Sequence, residues 1–389
     1  REGGNLSETI TGTEVDDLID GFGGDDTISG LGGDDIIIGG EGNDVIDGGT
    51  GGNRLYGDNG DDTIISSGTN DVVDAGEGNN TIIISGDAGG GEFVSGGGDD
   101  SYLIEEGASG HYDINSGDGN DSYSIEEGVS GSIKINALNG NNSIISESRV
   151  NGIRTGGGED NIVINGQSIS GIQSGAGDDY VELRGLLGSG LNIHGPNNLN
   201  LEDGDDTAYL YGGSAMVGGY DNGHSWDTGV SGGSGNDSIY LADSYYAFAN
   251  GGEGDDLIDA RQALDTKVLS GENGKDQIWG SPGNDNIYGG NDDDYLNGGD
   301  GSDNIYGGDG NDQIKTTSED NNLFGEGGDD SIESDDGNDK IYGGDNDDIL
   351  TGNGGNDVIY GGNQNSTKGN DGSIDTAVFS GLSTNYKLS

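Results

Sequence analysis

The chain has 389 residues, of which 86 are glycine, two are proline and none is cysteine, and only 28% are hydrophobic. Globular domains usually hold about 45–50% apolar residues, so an ordinary oily core is excluded, and disulfide staples with it. Seventy-four Asp and Glu against 13 Lys and Arg leave a formal charge of −61, which repels nucleic-acid phosphates and anionic membranes and attracts cations.

No apolar run approaches the roughly 18 residues of a membrane span, and no secretory signal is visible. The opening on Arg1 rather than Met reads as a processed chain or a piece of a longer one. From 1 to 83 a nine-residue phrase recurs without a slip: G-G-x-G-x-D-x-U-x, with U aliphatic or aromatic. Its sixth position falls at Asp17, Asp26, Asp35, Asp44, Asn53, Asp62, Asp71 and Asn80. Its eighth falls at Ile19, Ile28, Ile37, Ile46, Leu55 and Ile64. Strict phase is the mark of a repeat architecture and argues against an acidic disordered tail.

Over 84–184 the beat slows. The acid-or-amide position recurs at Asp100, Asp121, Asn142, Asp160 and Asp179, about twenty residues apart. Each slow unit keeps one acid turn, as in GDGNDSYSI at 117–125, and fills its other half with stretches such as EEGVSGSIKI. It reads as two nonapeptides, one without its acid, which places the acid turns on one edge.

Residues 185–270 are the least regular. Steps of 27 and 31 residues between Asp179, Asp206 and Asp237, before Asp256, imply insertions. The region gathers Tyr209, Tyr211, Tyr220, His224, Trp226, Tyr245, Tyr246 and Phe248, either as a local mini-core over the interruption or as binding loops on a scaffold. GVSGG at 229–233 fits G-x-S-x-G with His224 nearby, but a nucleophile elbow needs a strand feeding a helix. No such helix is predicted, and the histidines (His111, His194, His224) stand apart in the sequence. No enzymatic activity is expected.

The fast beat returns over 271–362, at Asp276, Asp285, Asp294, Asp303, Asp312, Asn321, Asp330, Asp339, Asp348 and Asp357. An aromatic file occupies position nine at Tyr288, Tyr306, Phe324, Tyr342 and Tyr360, with Trp279, Asn297, Lys315, Glu333 and Thr351 at the matching places opposite. Such a file either stiffens a sheet or offers a docking stripe to a second copy or to sugar rings. Residues 363–389 read as a cap or the start of a following region.

Geometry follows from these residue types. Six residues rich in glycine and aspartate make a turn, because glycine takes positive φ without strain. The x-U-x triplet makes a short strand whose middle side chain points opposite to its neighbours. Turn, strand, turn, strand closes one coil of an all-β parallel solenoid with coils of about 18–21 residues. Roughly twenty coils at about 4.8 Å each would make a rod on the order of 95 Å long. A single apolar row is a thin seam, and acids in stacked turns repel unless a cation sits between them. Carboxylate and carbonyl oxygens suit a hard divalent ion such as calcium better than zinc.

These phrases resemble the RTX, or hemolysin-type, calcium-binding repeats, which fold as a parallel β-roll. The likeness is tight over 12–83 and 271–360 and loose over 84–270. It implies calcium held by the sixth-position acids of repeats n and n+2 and by carbonyls from the first half of the turn. Carried over, Asp294 and Asp312 share one edge, and Asp285 and Asp303 the other. Gly298, Asp300, Gly307 and Asp309 would offer backbone oxygens. Asn53, Asn80, Asn142 and Asn321 depart from the pattern and imply weak or vacant sites. About twenty sites, contributing about +40, would offset much of the charge. The segment SIDTAVFSGLSTNYKLS at 373–389 resembles the stretch that caps such rolls.

The resemblance further implies export of an unfolded chain through a one-step bacterial channel, with folding outside where calcium is plentiful. The expectation is an extracellular or bacterial cell-surface scaffold, structural or adhesive, of surface-layer, matrix or filament type. Its expected partners are calcium, further copies of itself, and a polysaccharide or cell surface, with neither nucleic acid nor membrane insertion. The rival expectation is an accessory module of a secreted enzyme (protease, lipase or polysaccharide epimerase).

Overall fold

In the structure, a computed structural model, the described residues are 1–86, 90–166, 168–169, 171–184, 192–193, 199–211, 216–217, 220–221, 224–225, 229–243, 245–246, 248–266, 268–362, 375–378 and 387–388. They are strand and turn throughout, with no helix among them. The chain divides into two units, Arg1–Leu186 and Leu187–Ser389.

In the first unit, short strands alternate between two parallel sheets. Thr27–Leu31, Val45–Asp47 and Thr63–Ser66 stack in one, and Leu18–Asp20, Ile36–Glu41 and Arg54–Asn59 in the other. Register is set by the repeat. Ile28 pairs with Ile46, eighteen residues on, and every U side chain therefore falls on its predecessor. Strand brevity has a direct cause: one inward residue flanked by two outward ones is all that the nonapeptide leaves after its turn. Ile19, Ile28, Ile37, Ile46, Leu55 and Ile64 are buried on the expected seam.

The single thin row does not persist. From Thr81 to Arg184 one sheet is built of Thr81–Ile84, Ser101–Ile104, Ser122–Ile125, Ser143–Ser146, Asn161–Ile164 and Tyr180–Arg184. Five of these place two apolar side chains inward: Ile82 with Ile84, Tyr102 with Ile104, Tyr123 with Ile125, Ile162 with Ile164, and Val181 with Leu183. The facing sheet adds Phe93, Tyr112, Ile114, Ile133 and Ile135 to the same interior. Here the register step lengthens to 20 and then 21 residues, as in Ile82 to Tyr102 to Tyr123. The extra residues extend the coil's circumference and make room for a second apolar row.

The second unit repeats the two-sheet plan. Asn286–Asn291, Asn304–Asp309, Asn322–Gly327 and Lys340–Asp345 stack on one side, and Tyr295–Asn297, Gln313–Lys315, Ser331–Glu333 and Ile349–Thr351 on the other. Each turn needs a left-handed residue where the chain leaves the strand. Gly308 takes it at φ 115°, and Glu326, its counterpart one coil later, at φ 77°. The 31-residue step is an insertion, as expected, because Ala208 still pairs with Ile239 in register. Of the aromatics gathered there, only Tyr209, Tyr211 and Phe248 have described side chains. Tyr209 stacks on Tyr240 at 4.6 Å. The side chains of Tyr220, His224, Tyr245 and Tyr246, and Trp226 altogether, lie outside the described residues, as do His194 and most of 363–389.

Candidate metal centre

The sixth-position acids stand at the ends of the turns, and their two oxygens do different work. Oδ1 faces the neighbouring coil. In the first unit the Asp26 N–H donates to Asp44 Oδ1 at 2.7 Å and the Asp44 N–H to Asp62 Oδ1 at 2.8 Å. The file continues through Asn80, Asp100, Asp121, Asn142 and Asp160 to Asp179. A second file links Asp17, Asp35, Asn53 and Asp71. In the second unit one file runs from Asp206 through Asp237, Asp256, Asp276, Asp294, Asp312, Asp330 and Asp348. The other links Asp285, Asp303, Asn321, Asp339 and Asp357. Asp294 thus does share an edge with Asp312, and Asp285 with Asp303. Each bond satisfies a backbone N–H that the tight turn leaves without a ladder partner.

Oδ2 points into the turn. For Asp26, Asp35, Asp44, Asp62, Asp100, Asp160, Asp237, Asp256, Asp276, Asp294, Asp303, Asp312, Asp330, Asp339 and Asp357 it is buried with no hydrogen-bond partner. Such groups are rare and costly, and each calls for a missing ligand. In twelve of these fifteen the residue five places earlier is glycine, and a Cβ built there would run into that Oδ2; before Asp100, Asp160 and Asp339 stand Ser95, Thr155 and Ser334. At Gly289 the same point is crowded by the Gly307 carbonyl oxygen, and at Gly280 by that of Gly298. The two glycines named in advance therefore do turn their carbonyls toward the preceding coil's turn. Asp300 instead shows its side chain at work, Oδ1 accepting from Thr317 Oγ1 at 2.7 Å, and Asp309 ends a strand in register with Gly327.

Burial pushes Asp294, Asp303, Asp330 and Asp256 up to about 8, with neighbouring carboxylates in the file adding to the rise against the N–H bonds that oppose it. Asp44, Asp62, Asp237, Asp276, Asp312 and Asp357 rise to about 6 for the same first reason. The charged form lacks a counter-charge. Among the described residues no three acids or imidazoles gather as one cluster, so a cation here must draw on backbone carbonyls as well as carboxylates. One or two hard acid oxygens plus turn carbonyls fit calcium and offer zinc neither nitrogen nor sulfur.

Other turns close themselves. Asp71 Oδ2 accepts from Ser66 Oγ at 2.7 Å, Asp121 Oδ2 from Ser116 Oγ, and Asp17 Oδ2 from Thr13 Oγ1 at 2.7 Å. Asp285 Oδ2 accepts from the Ser281 N–H at 2.8 Å. Asparagines keep the Oδ1 bond, as where the Asp303 N–H meets Asn321 Oδ1 at 2.8 Å, and turn their NH2 inward. Asn80 Nδ2 donates to the Gly76 and Gly78 carbonyls, and Asn142 Nδ2 to that of Gly140.

A further file escaped the sequence reading. Position five, next to each acid, carries Asp or Asn in most repeats (Gly52, Glu159, Lys275 and Ser302 are the exceptions), and its Oδ1 accepts the N–H of its counterpart one coil later. Asp34 N–H donates to Asp16, Asn311 to Asp293 and Asp329 to Asn311, at 2.8–2.9 Å. This exposed file runs opposite in sense to the buried one. The recurrent D-D and N-D pairs were the available signal. Asp375 was also missed: its Oδ1 accepts the Asp348 N–H at 3.4 Å and continues the file across the 363–374 segment. Its mark was the D-x-U phrase DTA at 375–377.

The aromatic file is a continuous stack. Tyr288, Tyr306, Phe324, Tyr342 and Tyr360 lie 4.8–5.0 Å apart and within 5° of parallel. Opposite, Arg261 lies over the Trp279 ring at 5.0 Å, and Lys315 faces Glu333 at 3.6 Å. Ser231 of the G-x-S-x-G match sits inside the strand Val230–Ser234, paired with Asn200 and Asn250 on either side. It is not at a strand-to-helix turn. His111 is exposed beside Asp113 at 3.2 Å.

The sequence model of the RTX calcium-binding nonapeptide repeat matches residues 2–37, 20–53, 29–64, 47–82, 230–243, 270–305, 306–341 and 334–367. No curated protein matches the chain. Among solved structures the chain is similar to a hyperactive, Ca2+-dependent, beta-helical antifreeze protein from an Antarctic bacterium, at 19% identity and a TM-score of 0.26. That match covers 92% of this chain and 84% of the other.

Proposed function

The chain belongs to the RTX calcium-binding nonapeptide repeat family, and we propose that calcium folds it into an extracellular scaffold with a structural or adhesive task. The observation that carries this reading is the file of buried, unpartnered Oδ2 atoms repeated turn after turn beside a bare glycine. Bound calcium supplies the counter-charge that lets stacked carboxylates stay ionised out of water. The chain's own residues do the rest. Asp294 and Asp312 hold the oxygens, Gly289 keeps the space open, and Gly307 aims its carbonyl at it. Without the ion the same acids repel one another and the thin seam of single isoleucines is weak support.

A polymer that folds only where calcium is abundant suits the outside of a cell, and a repetitive surface suits assembly. The amino-terminal end of the aromatic stack, where Tyr288 is 41% exposed while Tyr342 further along is buried at 7%, is where copies, or a polysaccharide or cell surface, would be met. Catalysis is no part of this reading. No helix among the described residues is long and apolar enough to cross a membrane.

The test is a calcium titration followed by circular dichroism and light scattering together. The β signal is expected to grow with calcium, to fall again with EGTA, and to be followed by particle growth. Folding without particle growth would remove the scaffold in favour of an accessory module of a secreted enzyme. A spectrum indifferent to calcium would remove the whole reading.

A further inference from the structure

Along one edge of the first unit the acids keep a single unbroken hydrogen-bonded file, yet the residue five places before each acid changes character partway. Beside Asp26, Asp44 and Asp62 it is Gly21, Gly39 and Gly57, and Oδ2 is orphaned. Beyond Asn80 the position becomes Ser95, Ser116, Ala137, Thr155 and Ser174. The exchange is chemical. Ser116 Oγ donates into Asp121 Oδ2 and accepts from the buried Tyr123 hydroxyl at 2.5 Å. One coil earlier the Tyr102 hydroxyl donates to Ser95 Oγ at 2.8 Å, and Ser95 Oγ to the Ser116 carbonyl at 2.9 Å. Where the acid becomes Asn142, its own amide group donates to the Gly140 carbonyl at 2.9 Å. A hydroxyl thus closes the turn at Asp121 and an amide that at Asn142, whereas Ser95 and Thr155 donate to the Ser116 and Ser174 carbonyls and leave Asp100 and Asp160 Oδ2 unpartnered.

A second, independent observation points the same way. Most strands of one sheet between Thr81 and Arg184 have two inward apolar side chains, as do Thr207–Tyr211, Ser238–Ala242 and Leu257–Gln262 of the second unit, but in the first unit's coils aromatic rings fill the interior as well. Tyr102 stacks on Tyr123 at 5.1 Å inside this core, and Phe93 lies 6.1 Å from Tyr112. Burial of large aromatic and aliphatic groups stabilises such coils without any ion.

We propose that the coils from Thr81 to Arg184 fold without calcium on their aromatic and aliphatic interior, with the Ser116 hydroxyl standing in for the cation at Asp121. A metal-independent segment thereby sits in the same unit as the metal-dependent coils of Leu18–Ser66. The proposal rests on the calcium reading of the glycine–aspartate turns. It deepens that reading by assigning calcium to those turns and withholding it from Asp71 and Asp121, whose Oδ2 atoms accept from Ser66 and Ser116. The segment then serves as a template. When calcium arrives, the coil at Asp62 adds to an edge already formed at Asn80 and Asp100, and need not nucleate alone.

Hydrogen exchange read by mass spectrometry on the full chain, in calcium and in EGTA at neutral pH, tests this. Amides of Ser101–Ile104, Ser122–Ile125 and Asn161–Ile164 are expected to stay protected in EGTA. Those of Thr27–Leu31, Val45–Asp47 and Asn304–Asp309 are expected to lose protection. If all of these strands lose protection together, the proposal is overturned while the calcium reading stands. If none does, both are overturned. A Ser95→Ala/Ser116→Ala double variant adds a check. In EGTA, protection around Tyr102 and Tyr123 should drop by about tenfold or more, because a buried carboxylate oxygen and two phenol hydroxyls lose partners. Bound calcium, counted by native mass spectrometry, should be unchanged. A loss of bound calcium in that variant would overturn the assignment.

Discussion

Asp312 separates the two tasks of the acid file. Its Oδ1 accepts the Asp294 N–H at 2.9 Å, and its Oδ2 lies unpartnered in the turn beside Gly307. Asp312→Ala removes both. The Asp294 N–H is then left buried without an acceptor, which costs about 1–3 kcal/mol whether or not calcium is present. Asp312→Asn keeps the acceptor, as Asn321 does naturally for Asp303 at 2.8 Å, and removes only the charge. The assay is a denaturant melt followed by circular dichroism, run in calcium at neutral pH and in EGTA at about pH 5. At the lower pH Asp312, pushed up to about 6 by burial, is protonated in the fold and Asn is its near-isostere. In EGTA the Asn variant should match the parent within about 0.5 kcal/mol while the Ala variant loses about 1–3 kcal/mol. In calcium both should lose stability. An Asn variant as damaged as the Ala variant in EGTA would refute the division of labour. An Asn variant equal to the parent in calcium would show that the charge binds nothing.

Acidity should partly replace the ion. Folded-state values raised to about 6–8 mean that the fold favours protonated acids. That contribution is fully present below the unfolded value near 4 and is lost as pH rises through about 6 to 8. The EGTA-treated chain should therefore show more β signal at about pH 5 than at about pH 9, and calcium should erase the difference; the opposite slope refutes the account. Gly289→Ala places a methyl against Asp294 Oδ2 and the Gly307 carbonyl. It should cost about 1–3 kcal/mol by overpacking and delete a calcium from the native mass spectrum. Tyr306→Ser with Tyr342→Ser breaks all four ring pairs of the aromatic stack. Each pair contributes about 0.5–1.5 kcal/mol beyond its burial, so a measurable loss in the melt is expected. Light scattering that stays at the parental level in this variant, while it still folds, would show that the stripe stiffens a sheet and docks nothing.

The nine-residue phase carried much of this structure in the open. A fixed period dictates which residue falls upon which, so the pairing of Ile28 with Ile46 and of Asp294 with Asp312 could be read before any coordinate. What the phase hides is chemistry that depends on a single atom. Asparagine at 53 or 321 looks like a defective ligand in the sequence, yet its Oδ1 keeps the bond between coils and only its inward-facing group differs. Serine at 116 looks like one more small turn residue, because nothing in the one-letter string says that its hydroxyl meets a buried acid. The second apolar row was also concealed. Strands such as SYLI and SYSI read as x-U-x with one spare residue, and only the longer coil shows the spare turning inward. Asp375 was masked by the interruption at 363–374, which breaks the count on which every other acid was found.

The buried file has a sense. Each turn's N–H is held by an oxygen belonging to a residue further along the chain, eighteen places on in the regular coils. Trimming from the carboxyl side strips the last surviving turn of its buried clasp, whereas trimming from the amino side frees a buried-file oxygen and unclasps only an exposed N–H, both of which water can reach. Fragments cut for crystallisation, or grafted as modules into other proteins, should accordingly retain one coil beyond the last turn wanted, and need no such allowance at the front.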